Sequence, residues 1–107
     1  MEVITVNQQS KLPNRESELY RALLSLNTID ECFAFMSDLC TTTELKSMEQ
    51  RFEIARMLMG GKLYSDILET TGASSATISR VNRSVNFGNN TYEWLFKRLD
   101  EEKTSEE

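Results

Sequence analysis

The strongest constraint on the fold lies between Leu63 and Val85. There Ile67 and Leu68 precede a glycine, Gly72, while Ile78, Val81 and Val85 follow it at helical spacing. A glycine closing the first apolar stretch takes the left-handed conformation that ends a helix and lets the chain reverse. Ala73 is small enough for the inside of such a turn, and Ser74 is a good N-cap for the next helix. The pattern predicts a helix over about 65–71 and a second from Ser75 to about Val85. In that pair Ile67 and Leu68 are buried, with Leu68 set against Ile78.

The flanking sequence is helical as well. Leu19, Tyr20, Leu23, Leu24 and Leu26 predict a helix over about 14–26. Ile29, Cys32, Phe33, Met36, Leu39 and Cys40 predict another over 29–39, opened by the capping-box pattern Thr28 to Glu31. Phe35 falls off that stripe. A third helix is expected over about 42–59, opened by a second capping box, Thr41 to Glu44, and closed by Gly60-Gly61. A last helix is expected over 92–99, with Trp94 off its apolar side. The expected fold is all-α, with about six helices in a single domain over 14–99, preceded by a flexible arm (1–13) and followed by an acidic, disordered tail (100–107). Apolar residues lie round more than one narrow face of the first three helices. A chain of 107 residues cannot easily bury all of them alone, which points to a homodimer with the N-terminal helices in its interface.

No apolar run approaches the roughly 18 residues of a membrane span. Residues 1–12 lack the apolar core of a signal peptide, so no membrane partner and a cytoplasmic location are expected. The two cysteines, Cys32 and Cys40, would stand about 12 Å apart on a helix, too far to bridge. They read as small buried apolar groups. With no histidine in the chain, no metal site is expected. The same lack, with no phosphate-cradling glycine loop and no evident pair of carboxylates, argues against an enzyme.

The net charge of −5 does not favour a nucleic-acid partner, but its distribution does. Residues 100–107 hold five acids against Lys103, leaving −1 over residues 1–99. From Thr70 to Tyr92 there is no acid, while Arg80 and Arg83 lie inside. Phosphate binding depends on the local field. The face opposite Ile78 and Val81 carries Ser75, Ala76, Ser79, Arg80 and Arg83. Short side chains at a helix start allow close approach to base edges, and the free N–H groups there can meet a phosphate. Arginines further along can take phosphates or guanine edges. Lys62, Ser65, Ser74 and Thr77 complete the expected contact set. Double-stranded DNA is therefore the expected partner of a helix-turn-helix at about 63–85.

Four stretches together resemble a known family: Cys40-Thr41-Thr42-Thr43-Glu44-Leu45; Gln50-Arg51-Phe52-Glu53-Ile54-Ala55-Arg56; Gly61-Lys62-Leu63-Tyr64; and Thr71-Gly72-Ala73-Ser74-Ser75-Ala76-Thr77-Ile78-Ser79-Arg80-Val81. They look like the YerC/YecD branch of the Trp-repressor-like family, over about Leu19 to Leu99. The resemblance implies an intertwined helical homodimer that binds paired operator half-sites, most simply as a repressor. It also implies a possible effector pocket from Thr41, Arg51, Arg80 and Ser84. The tryptophan repressor has glycine after its recognition-helix arginine, where this chain has Val81. Tryptophan is therefore not the expected ligand; a different small effector is compatible with the pattern, and no cofactor is required. The rival reading is a helical protein-interaction module of the same fold with little DNA affinity.

Overall fold

The computed structural model describes residues 13–106, and the expected arm over 1–13 lies outside them apart from Pro13. Six α-helices follow one another, and no strand occurs among the described residues: α1 Glu18–Leu24, α2 Ile29–Leu39, α3 Thr42–Met59, α4 Tyr64–Thr71, α5 Ser75–Phe87 and α6 Thr91–Glu106. The chain divides into two compact units, the first ending at Leu39 and the second starting at Cys40.

The first unit holds α1 and α2, and neither helix contains a buried residue. Helix α1 starts four residues later than the periodicity predicts. The Asn14 side chain accepts from the Glu16 amide, and the Asn14 carbonyl accepts from the Ser17 amide, so these residues form a turn. Ser17 then caps the helix through the Leu19 amide. Helix α2 begins and ends where expected. Thr28 accepts from the Glu31 amide, but Glu31 reaches one residue further back than in a capping box, to the Asn27 amide. The apolar stripe of α2 stays open, with Ile29 85% and Phe33 64% exposed. Cys32 is exposed and Cys40 half-buried, so the expectation of two buried thiols does not hold within one chain. Phe35, off the stripe, is better covered than Phe33.

The second unit has a core of Ile54, Ala55, Ile67, Ala73, Ile78, Val81 and Phe96, with Met57, Leu58, Val85 and Tyr92 packed against it. Helix α3 is its central element and contacts α4, α5 and α6. Thr41 and Glu44 make the full reciprocal capping box at its start. At its end Gly61 is left-handed (φ 81°), while the Gly61 and Lys62 amides donate back to Leu58 and Met57. That double closure satisfies the last carbonyls of α3 and turns the chain towards α4. Against α3, α6 sets an aromatic cluster: the Phe96 ring lies 5.1 Å from Phe52 and 5.6 Å from Tyr92.

Two expectations need correction here. Residues 100–106 are not a disordered tail, because α6 runs through to Glu106. The Arg56 guanidinium pairs with Asp100 and lies over the Phe96 ring, 4.6 Å from its centroid, which ties the second half of α6 to α3. Glu and Lys are also good helix formers. Leu68 is not buried: it is 39% exposed, and only Ile67 of α4 belongs to the buried core.

Candidate nucleic-acid interface

Helices α4 and α5 and the turn between them build the face expected to meet DNA. Gly72 ends α4 in the left-handed region (φ 70°), with its amide donating to the Leu68 carbonyl. A β-carbon there would touch nothing, so the backbone conformation rather than space is what calls for glycine. Thr71 knits the turn: its hydroxyl donates to the Ile67 carbonyl (2.7 Å) and accepts from the Ala73 amide (3.2 Å). Gln50 of α3 donates to the Thr71 carbonyl at 3.0 Å, holding the C-terminus of α4 from outside the motif. Gln50 has no such role in the periodic pattern, since nothing local links it to a residue so far along the chain.

Ser74 caps α5 by accepting from the Thr77 amide, and its hydroxyl also shares a hydrogen bond with the Thr77 hydroxyl at 3.0 Å. Thr77 is half-buried, so these two side chains serve the helix start first. Ile78 and Val81 anchor the inner face. Ser75, Ala76, Ser79, Arg80 and Arg83 are all exposed on the other side. Lys62 and Ser65, at the start of α4, are exposed as well. Among the described residues no carboxylate pairs with Lys62, Arg80 or Arg83; the ion pairs are Arg21–Glu18 and Arg56–Asp100. All the expected contact residues except Thr77 are thus exposed on or beside one helical pair, with three cations unpaired among the described residues.

The four possible effector residues do not come together in the same way. Arg80 and Ser84 line an open groove with Arg83, Phe87 and Gly88, and neither Thr41 nor Arg51 lines it. Thr41 is committed to the α3 cap through its amide and hydroxyl, and Arg51 donates to Ser47 (3.1 Å) rather than to a neighbouring glutamate. Val81 is buried in the core between α3 and α5. Phe87, absent from the expected site, is 83% exposed. Its signal was available in the spacing, because it follows Arg83 by four residues and Arg80 by seven. The turn after it is specific: a β-carbon on Gly88 would lie 2.4 Å from the Ser84 carbonyl oxygen.

With this geometry the comparisons with known proteins agree. The chain belongs to the Trp repressor protein family, which matches residues 15–100, a family of helix-turn-helix DNA-binding regulators that often act as dimers. It is 47% identical over 98 residues to the uncharacterized protein YerC of Bacillus subtilis strain 168, covering 91% of this chain and 94% of that one. Among solved structures, a TrpR-like protein from Eubacterium eligens matches with a TM-score of 0.79 and 51% identity, over 85% of this chain and 95% of its own. A candidate Trp repressor from Staphylococcus aureus matches with a TM-score of 0.75 and 43% identity, over 78% and 83%. The expected all-α, Trp-repressor-like fold is therefore the observed one. No helix among the described residues is long and apolar enough to cross a membrane.

Proposed function

We propose that this chain is a sequence-specific double-stranded DNA-binding transcription regulator, a repressor, working in the cytoplasm as an intertwined homodimer and not as an enzyme. The observation that carries the reading is the outer face of α5. Small side chains occupy its first turn, two arginines with no carboxylate partner among the described residues follow, and no acid lies between Thr70 and Tyr92. Such a helix can bring its N-terminus close to the floor of a major groove and neutralise phosphates beside it. The dimer is supported by α1 and α2, whose apolar stripes have no core of their own in one chain. Binding requires no cofactor. Tryptophan does not fit the reading, since Val81 occupies space between α3 and α5 and only two of the four effector candidates share a groove.

The test is a gel shift of the purified chain on genomic fragments at low salt, beside Ser75→Glu. A carboxylate in the first turn favours the helix but repels phosphate. The variant should keep its circular dichroism and melting temperature and lose the shift. A folded wild-type chain that shifts no fragment would favour the protein-interaction reading that the overall charge of −5 allows.

A further inference from the structure

We infer that Arg80 and Ala76 act as a pair that reads a guanine and a neighbouring thymine in the major groove of each half-site. The inference rests on the DNA-binding reading above and adds the base chemistry to it.

Ala76 and Arg80 are one helical turn apart, both exposed on the side of α5 away from Ile78 and Val81. Residues so spaced are surface neighbours, with β-carbons about 5–6 Å apart. Stacked bases rise by about 3.4 Å each, so the pair spans one to two base pairs. In the free chain Arg80 borders the groove it shares with Arg83, Ser84, Phe87 and Gly88; the general lean of helical side chains towards the N-terminus puts the turn that holds Ala76 within reach of its guanidinium on DNA. Ala76 is too small to block that path. Thr77, the other residue on that turn, is half-buried and hydrogen-bonded to Ser74. The guanidinium is also unengaged, since no carboxylate pairs with it among the described residues.

A planar fork of donors aimed at the groove floor matches the O6 and N7 acceptors of guanine. The Ala76 methyl has no polar atom and matches the C5-methyl of thymine. Ser79 can pair with more than one base and so contributes little discrimination. Arg83, a turn further from the helix start, stays at the level of the phosphates.

Selection of duplexes from a random library by the full-length chain tests this. Each recovered half-site should contain a G·C pair with a T·A pair one or two positions away. On that site Arg80→Ala should lower affinity by about 5- to 150-fold for each half-site and abolish preference at the guanine position alone. Arg80→Lys should weaken the guanine preference less than Arg80→Ala while keeping the salt dependence, because it retains the charge and donors to O6 and N7 but loses the rigid fork. Replacing the thymine by deoxyuridine removes only the methyl; it should weaken the wild type and leave Ala76→Gly unaffected. Recovered sites without the G–T pair, an equal effect of Arg80→Ala on all sequences, or full tolerance of deoxyuridine would each overturn the inference while DNA binding stands. A wild-type chain that retains no duplex would overturn both.

Discussion

Replacing Arg83 by alanine isolates the electrostatic part of DNA binding. Arg83 is exposed on α5 and has no ion-pair partner among the described residues. Its removal leaves the fold intact, because alanine is the better helix former and no core contact is lost. In a homodimer one substitution removes two cations. Each neutralised phosphate contributes about 0.9 to the slope of log affinity against log salt, so the slope should shallow by about 1.8. Between about 50 and 200 mM salt the wild type should then lose about 12-fold more affinity than the variant. Fluorescence anisotropy of a labelled duplex, titrated across a salt series, measures both slopes. A second duplex of unrelated sequence should show the same change, since phosphates carry no sequence information. An unchanged slope would refute the placement of Arg83 on the backbone. A change seen on one sequence only would make Arg83 a base reader.

Two further outcomes are expected. Phe33→Asp puts a charge on the open stripe of α2, where burial of each phenyl ring is worth about 1.5–3 kcal/mol; light scattering at micromolar concentration should show a monomer, and a persistent dimer would mean that this face lies outside the interface. Calorimetry with tryptophan should show no binding at micromolar concentration, whereas a micromolar Kd would mean that Val81 leaves its place between α3 and α5.

Much of this molecule is written in short-range sequence. The ends of α2 and α3, the cap at Thr41, the left-handed turns at Gly61 and Gly72, and the inward face of Ile78 and Val81 follow from spacings of a few residues. Capping bonds and backbone conformation act over that range, so local residue choice decides them. The outward stripe of α5 is legible for the same reason, since burying one face fixes the other. Tertiary contacts decided the rest. Period alone makes Leu68 as good a core residue as Ile67, yet only Ile67 is fully buried while Leu68 stays 39% exposed. The charges after Leu99 read as a tail until Arg56, distant in sequence, binds Asp100 and α6 continues. Gln50 holds the end of α4, and Thr41 and Arg51 stay out of the groove beside Arg80, for reasons equally remote in sequence. A helical repeat states which residues share a face; whether anything covers that face depends on where the folded chain brings its other parts.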